Sequence, residues 1–377
     1  MVLNDGEVNM KILVLSSNTN SLIQFRLDMM KSFQNRGYTV VAAGDAPEEE
    51  WSDYFSAMGI RYRQIFVQRN GMNPKNDLKT LSSIKKLLQE ERPDKIFAYQ
   101  AKSIVYGGAA AKQLRIKEFY PLIAGVGSIF VSKGIKIKIV RAILSLQYRH
   151  AMNKAPIVFF QNNDDVELFL KKKIVKRSQV CVINGSGVNL DIFTPMPLPE
   201  QTAFLSVSRL IKDKGVREYL SAARIVKERY PHTRFMLVGP FDSNPSAIKP
   251  EELKPYIDDN VIEYFGEQRD VRPYLGQCSV FVLPSYREGV PKTVLEAMAS
   301  QRAIITTDAP GCRDTVIDGE NGYLVPVGDA VALADKMIEL LNSPDQIAVM
   351  AKKGRRIAEE KYDVNKINKN ICDAMKM

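Results

Sequence analysis

The stretch Pro284-Ser-Tyr-Arg-Glu288-Gly289-Val-Pro291-Lys-Thr-Val-Leu-Glu296-Ala-Met-Ala299 follows a short apolar run that ends at Leu283. The apolar run predicts a buried parallel strand, and the segment after Pro291 predicts a helix. Proline suits the start of that helix because the first turn has no intrahelical use for the N–H that proline lacks. The stretch therefore predicts a strand–turn–helix unit, which is the repeating element of an α/β fold.

The same alternation extends over the whole chain. The predicted strands are 11–16, 38–43, 60–66, 95–98, 119–124, 157–160, 179–183, 203–207, 233–238, 261–265, 280–283, 303–306 and 323–325. The predicted helices are 21–36, 78–91, 103–113, 215–230, 292–300 and further helices beyond 330. Two such series in tandem predict two doubly wound domains with a ligand cleft between the carboxyl ends of their strands.

The chain length of 377 residues also favours two domains. Residues 184–200 are rich in Gly and Pro and predict a linker. We therefore expect an N-terminal domain at 10–185 and a C-terminal domain at 200–360. We expect residues 361–377 to form a helix that packs back on the N-terminal domain.

Composition favours a cytoplasmic globular protein, with 45% apolar and 25% charged residues. No run of 18 or more apolar residues occurs, so we expect no membrane-spanning helix. The acidic segment 1–9 argues against a signal peptide. Four well-separated cysteines without a Cys-x-x-Cys pair predict reduced thiols, and neither His150 nor His232 has a ligand-spaced partner. We therefore expect no metal site.

The net charge of +10 is unevenly divided. Residues 1–183 contain 28 Lys and Arg against 16 Asp and Glu, whereas the remainder contains 25 against 27. Such an excess suits nucleic acid or an anionic lipid surface. Because no aromatic–basic platform or helix-turn-helix pattern accompanies it, we expect no nucleic-acid partner. We expect instead that the N-terminal domain contacts an anionic membrane surface, with the protein peripheral at the inner face of the cell membrane.

The best candidates for chemistry are two cations and two carboxylates in the second half. Arg209 and Lys214 lie where a strand gives way to a helix, and two cations there suit a diphosphate, although a solvated loop would show the same pattern. Glu288 and Glu296 flank a helix start. Glu296 alone would be an ordinary partner of the helix dipole, but two carboxylates beside a cation pair favour the binding of sugar hydroxyls.

Arg209…Lys214-Gly215 followed by Pro284-Ser…Glu288-Gly289…Glu296-Ala-Met-Ala resembles the family-four retaining glycosyltransferases of the GT-B fold. The resemblance covers nearly the whole chain and is strongest between residues 204 and 330. It implies an α/β protein of two Rossmann-like domains with an interdomain cleft. The N-terminal domain would bind the acceptor, and the C-terminal domain would bind the nucleotide-sugar donor.

The resemblance also implies roles for the matching residues. Arg209 and Lys214 would hold the donor diphosphate, Glu288 would contact the transferred sugar, and Glu296 would bind the ribose hydroxyls. These roles make Glu288, Arg209 and Lys214 the predicted catalytic residues. The backbone N–H groups of one short segment would cap sugar and phosphate oxygens; the segment consists of Gly289, Val290, Pro291 and Lys292. No cofactor or metal is implied, because the cations would neutralise the departing UDP.

Further motifs resemble a subgroup of bacterial enzymes that build capsule, O-antigen or lipid-linked glycans. They are Phe25-Arg26, Ala124-Gly125-Val126-Gly127 and Thr307-Asp-Ala-Pro-Gly-Cys-Arg313-Asp. The subgroup implies transfer of a hexose or N-acetylhexosamine from a UDP-sugar to a polyprenyl-diphosphate-linked acceptor. The candidates for the acceptor loops are Ser17, Asn18, Gly125 and Gly127. Two departures from the family pattern occur, at Gln301 and at Ser17-Asn18, where relatives usually have glycine.

The segment 131–154 mixes lysines with isoleucines and leucines. It suits an interfacial helix near the entry of a lipid-linked acceptor, and it suits equally a core helix with a solvated face.

Two other enzyme classes are the alternatives. A nucleotide-binding oxidoreductase fits two doubly wound domains, but no Gly-x-Gly-x-x-Gly follows the first strand. A glycoside hydrolase would use Glu288 and Glu296 as paired carboxylates but would not need Arg209 and Lys214.

Overall fold

The computed structural model describes residues 10–68, 71, 73–127, 130, 134–242 and 246–377. They form two compact units: the chain up to Ser186 together with Asn365–Met377, and Gly187–Val364. Of the predicted linker 184–200, residues 187–200 thus belong to the second unit. Segment 1–9, on which the signal-peptide expectation rests, lies outside the described residues, as do 131–133 of the basic segment. Within the described ranges, no helix is long and apolar enough to cross a membrane.

The first unit is built on a seven-stranded parallel sheet of order β3-β2-β1-β4-β5-β6-β7. Its strands are β1 (Lys11–Leu15), β2 (Thr39–Gly44), β3 (Arg61–Gln64), β4 (Lys95–Tyr99), β5 (Glu118–Ile123), β6 (Val158–Phe160) and β7 (Val180–Val182). Its helices are α1 (Thr19–Gln34), α2 (Glu48–Ser56), α3 (Pro74–Glu91), α4 (Ala101–Gln113), α5 (Ile135–Met152) and α6 (Asn163–Lys171).

The second unit is built on a six-stranded parallel sheet of order β10-β9-β8-β11-β12-β13. Its strands are β8 (Ala203–Val207), β9 (Arg234–Val238), β10 (Glu263–Tyr264), β11 (Val280–Leu283), β12 (Ala303–Thr307) and β13 (Gly322–Val325). Its helices are α7 (Val216–Arg229), α8 (Pro250–Asp258), α9 (Arg272–Leu275), α10 (Lys292–Ala299), α11 (Ala330–Leu341) and α12 (Pro344–Lys361). The last helix, α13 (Val364–Ala374), starts at the end of this unit.

The central strands of each sheet are buried on both faces. Successive side chains of a strand point to opposite sides, so each of these strands contributes to two cores. In β1, Leu13 and Leu15 pack into one core with α3 and α4, whereas Ile12 and Val14 pack into another with α1. Helix α13 joins the second of these cores through Ile367 and Ile371. Near-continuous apolar runs are what such strands require, which is why the strands could be predicted well.

The sequence did not predict four helices, α2, α6, α8 and α9. Each of them buries few side chains: α2 buries only Phe55, and α8 buries only Leu253. Without several apolar residues at helical spacing, the sequence carries little signal for a helix.

The backbone at Gln301 shows why relatives usually have glycine at this position. Gln301 has a left-handed φ of 59° directly after the C-cap of α10, the position that glycine usually occupies. An L-residue there costs about 1–2 kcal/mol relative to a right-handed conformation.

Candidate active site

The second sheet reverses its strand order at β8, which pairs with β9 on one side and β11 on the other. In open parallel sheets, ligands bind at the carboxyl ends of the strands at such a switch point. The loop after β8 carries Arg209 and Lys214, and the loop after β11 carries Glu288. The two motifs, far apart in sequence, therefore lie at one edge of the sheet.

The two loops are in direct backbone contact. The N–H of Tyr286 donates to the carbonyl of Asp213 at 2.9 Å. Gly215, with φ at 68°, lies so close to Pro284 that a Cβ on Gly215 would stand 2.0 Å from the Pro284 carbonyl oxygen. Only glycine satisfies both the left-handed conformation and this approach. Gly215 is therefore required for the packing of these two loops, in addition to the binding role that the sequence predicts for Lys214 beside it.

Lys214 and Glu288 form an ion pair at this contact. Lys214 Nζ lies 2.5 Å from Glu288 Oε1, and the two side chains are 21% and 12% exposed. A carboxylate with so little access to water requires a charged partner. The structure thus brings together two of the three predicted catalytic residues.

Arg209 makes a different ion pair. Its Nη1 donates to Asp242 Oδ2 at 2.8 Å, and in the described part of the chain Asp242 is its only ion-pair partner. Asp242 follows β9, the other neighbour of β8. The sequence did not predict Asp242, because a single aspartate in a loop carries no signal until strand pairing brings that loop beside Arg209.

Glu296 lies in the second turn of α10, whose N-cap is Pro291. Burial raises the pKa of Glu296 to about 7, against the opposing charge of Lys292, whose Nζ lies 3.7 Å from Glu296 Oε1.

Of the predicted capping segment, Gly289, Val290 and Lys292 have an N–H. Pro291 has none, and its inclusion as a backbone donor was wrong.

A third loop, after β12, supports the turn that holds Glu288. The N–H of Glu288 donates to the carbonyl of Pro310 at 3.0 Å. A Cβ on Gly311 would stand 2.2 Å from the Gly289 carbonyl oxygen, so glycine is required there too. Residues 308–313, which resemble a family motif, therefore position Glu288 through the backbone.

The first sheet has its own switch point, between β1 and β4, and the acceptor-loop candidates Ser17 and Asn18 follow β1. Ser17 donates from its N–H and Oγ to Gln100 Oε1 at 2.9 and 2.7 Å. Asn18 caps α1, since its Oδ1 accepts from the Ser21 N–H at 2.9 Å. Both candidate side chains therefore have structural partners.

Gln100 is a residue that the sequence did not predict as important. It follows β4 with φ at 71° and ψ at 144°, a conformation that is strained for any residue other than glycine. Its amide bridges the loop after β1, accepting from Ser17 and donating to Ser21 Oγ at 3.1 Å. Strain held by such a network is common at binding sites.

The other two acceptor-loop candidates, Gly125 and Gly127, follow β5 with φ values of 109° and 70°. Residues 128, 129 and 131–133 of the same loop lie outside the described residues. Across the described ranges, no three His, Cys, Asp or Glu side chains form a group that could hold a metal ion.

Two family models match the chain. The model described as "Glycosyl transferase 4-like" matches residues 11–162, and the model described as "Glycosyl transferases group 1" matches residues 201–343. The chain belongs to the family-four glycosyltransferases. It is therefore a transferase, and the matches support neither a glycoside hydrolase nor an oxidoreductase.

Curated relatives align over most of the chain. An N,N'-diacetylbacillosaminyl-diphospho-undecaprenol alpha-1,3-N-acetylgalactosaminyltransferase of Campylobacter jejuni is 28% identical over 94% of this chain and 96% of its own. A UDP-Gal:alpha-D-GlcNAc-diphosphoundecaprenol alpha-1,3-galactosyltransferase of Escherichia coli is 24% identical over 70% of each chain.

Solved structures share the fold. Sucrose-phosphate synthase from Thermosynechococcus elongatus superposes with a TM-score of 0.79 at 20% identity, over 97% of this chain and 98% of its own. HepE from Anabaena, in complex with UDP and glucose, superposes with a TM-score of 0.77 at 17% identity, over 98% and 99%. The predicted GT-B fold class is confirmed.

Gly215→Ala should disrupt the junction of the loops after β8 and β11, because its Cβ collides with the Pro284 carbonyl. Gly266→Ala is a matched control: Gly266 has nearly the same φ, 66°, but open space around its Cβ position. We expect Gly266→Ala to cost about 1–2 kcal/mol of unfolding free energy and Gly215→Ala at least about 2 kcal/mol more. Urea unfolding measures both variants, and equal losses would contradict the proposed close contact.

Proposed function

We propose that this glycosyltransferase moves a hexose or N-acetylhexosamine from a UDP-sugar to a polyprenyl-diphosphate-linked saccharide, in the assembly of a surface polysaccharide or glycan. The observation that carries the proposal is that Arg209, Lys214, Glu288 and Glu296 all follow β8 or β11, the two strands at the switch point of the second sheet. The names of the Campylobacter and Escherichia relatives support the lipid-linked acceptor and, for the latter, the UDP-activated donor.

The ion pair of Lys214 with Glu288 suggests how the donor enters. In the free enzyme each charge neutralises the other. When a UDP-sugar binds, Lys214 would turn to the diphosphate, and the Glu288 carboxylate would accept hydrogen bonds from hydroxyls of the sugar. Arg209 would exchange Asp242 for the diphosphate in the same way. Such charge-assisted hydrogen bonds contribute roughly 1.5–3 kcal/mol each.

Transfer would then proceed with retention. The acceptor hydroxyl attacks the anomeric carbon on the face that the diphosphate leaves, the bond from that carbon to the diphosphate oxygen breaks, and the hydroxyl proton passes to the departing diphosphate. Negative charge grows on the diphosphate in the transition state, so the bonds from Arg209 and Lys214 strengthen there.

We infer that these cations take the place of a metal ion. Transfer should then persist undiminished in excess EDTA.

Arg209→Ala should lower the transfer rate by about 10²–10³ without unfolding the protein, because it removes a cation from the developing charge. Arg224→Ala is the matched control. Arg224 is 46% exposed against 51% for Arg209, and it also pairs with one aspartate, Asp259, but on the outside of α7. The measurement is UDP release from UDP-sugars with membrane lipid extract as the acceptor source. Near-normal transfer by Arg209→Ala would remove the basis of the assignment.

The affinity for UDP should rise with pH because of Glu296. Its pKa of about 7 means that the carboxyl is mostly protonated at pH 6, whereas ribose hydroxyls that donate hydrogen bonds require the carboxylate. Between pH 6 and 8 the ionised fraction increases about tenfold, so we expect up to about tenfold tighter binding. Calorimetric titration with UDP measures this change. In Glu296→Gln the increase should disappear, and identical pH profiles for both proteins would contradict the assignment.

The stability of the free enzyme should change with pH in the opposite sense. Because the folded-state pKa of Glu296 is raised, its contribution is complete below the ordinary pKa of 4.5 and is lost as the pH rises through about 7. In the UDP titrations, the phosphate of UDP titrates equally with wild type and with Glu296→Gln. Only the difference in the pH dependence of UDP affinity between the two proteins therefore reports on this carboxyl.

We propose further that α5 lies against the cytoplasmic face of the membrane. Four of its aliphatic side chains are exposed along one face: Ile135, Ile139, Ile143 and Leu146. Helix α5 contains no Asp or Glu, and residues 1–183 carry a large excess of positive charge. An exposed apolar stripe with basic surroundings suits an anionic bilayer surface.

The protein should therefore sediment with vesicles that contain anionic lipid and not with neutral ones. Ile139→Glu, at a side chain that is 58% exposed, should weaken this binding because it places a carboxylate in the stripe. Val349→Glu is the control, since Val349 is 64% exposed on α12 of the other unit. Equal sedimentation with both vesicle types would argue against the proposed surface.

A further inference from the structure

A groove of about 940 Å³ runs between α3, α4 and α5 in the first unit. Its walls are mainly aliphatic and aromatic: Leu78, Leu81, Val105, Tyr106, Ile143 and Leu144. This volume and this lining are those of a site for a largely apolar ligand. The groove belongs to the first unit, whereas the proposed donor site belongs to the second.

The two charged groups of the groove are already paired with each other. Lys102 Nζ contacts Asp77 Oδ1 at 2.9 Å, and both side chains are mostly buried. Among the described lining residues, Asp77 is the only carboxylate, and Lys102 neutralises it. An apolar ligand with an anionic end therefore meets no uncompensated negative charge.

One end of the groove adjoins the candidate acceptor loop. Ala101 and Lys102, which line the groove, directly follow Gln100, whose amide holds Ser17. The first turns of α3 and α4 also lie at the carboxyl edge of the sheet, as helices that follow parallel strands must. A ligand whose polar end occupied that edge would have its apolar part directed into the groove.

The other side of the groove is continuous with the exposed stripe of α5. Ile143 belongs to both surfaces, whereas Ile135, Ile139 and Leu146 belong only to the stripe. The stripe alone would be enough for contact with a flat bilayer surface. A concave apolar channel between the stripe and the acceptor loop needs a ligand that passes from the bilayer to that loop.

We propose that this groove binds the isoprenoid chain of the lipid-linked acceptor next to its diphosphate. The inference rests on the proposed function, since it deepens the assignment of the acceptor. The groove would draw the first isoprenoid units out of the bilayer and so fix the diphosphate and its sugar at the carboxyl edge of the sheet. Recognition would then depend on the lipid as well as on the saccharide.

The test uses farnesyl diphosphate, a water-soluble isoprenoid diphosphate, and inorganic diphosphate as probes. The buffer contains saturating UDP, which occupies the proposed donor site, and no detergent or vesicles. Calorimetry on the full-length protein should show farnesyl diphosphate binding at least about tenfold more tightly than inorganic diphosphate. Leu78→Glu should remove that advantage, because it places a carboxylate in the groove. Leu78 is 67% exposed, so the fold should tolerate the change. Leu78→Met should retain the advantage.

Leu146→Glu is the matched control, since Leu146 is 59% exposed on the stripe and does not line the groove. It should weaken vesicle binding and leave farnesyl diphosphate binding unchanged. Equal affinity of wild type for the two probes, or equal losses in Leu78→Glu and Leu146→Glu, would overturn the proposal. UDP titrations of the same proteins report on the proposed function separately. Failure to bind UDP with intact farnesyl diphosphate binding would count against the donor assignment and not against the groove.

Discussion

The active-site region of the second unit depends on one steric contact, the approach of Gly215 to the carbonyl of Pro284. The parallel order β9-β8-β11 places the loops after β8 and β11 side by side, and the absence of a side chain at Gly215 lets their backbones meet. The hydrogen bond from Tyr286 to Asp213 and the ion pair of Lys214 with Glu288 both form across this junction. Gly311 makes a similar close approach to the backbone of the turn that carries Glu288.

This packing explains how charged groups can lie ready in a partly buried site. Removing Lys214 or Glu288 from water alone would be costly, so each serves as the counterion of the other. Arg209 and Asp242 do the same at the neighbouring strand, in a more exposed position. A ligand that brings its own negative charge and its own hydroxyls can replace both internal partners, so binding exchanges ion pairs instead of creating buried charge. Glu296 differs, because the weaker attraction of Lys292 does not offset burial and its pKa rises to about 7.

The sequence predicted the fold class because strands that are buried on both faces appear as apolar runs. Such runs can be recognised without knowing which strands lie beside them. It also predicted the motifs of Lys214 and Glu288, since the family pattern preserves their spacing. Asp242 and Gln100 were not predicted for a shared reason. Each forms a hydrogen bond with a residue in the loop after a neighbouring strand: Asp242 with Arg209, and Gln100 with Ser17. Only the order of the strands in the sheet reveals that these loops are close. Helices such as α2 were missed because a helix that buries one side chain has almost no amphipathic pattern.

Helix α5 shows most clearly what sequence leaves open. Its mixture of lysines with isoleucines and leucines suits a core helix as well as an interfacial one, because composition does not tell which aliphatic side chains face the core. In the structure Tyr148 and Met152 are buried, whereas Ile135, Ile139, Ile143 and Leu146 remain exposed. These aliphatic side chains expose apolar area to water on one face of a helix that has no acidic residues. Burial of that area against an apolar partner would be favourable by roughly 25 cal/mol per Å². The second unit carries a slightly negative net charge, so an anionic surface would attract the first unit selectively. This asymmetry supports the proposed division of roles, in which the first unit would contact the lipid that carries the acceptor and the second would bind the donor from solution.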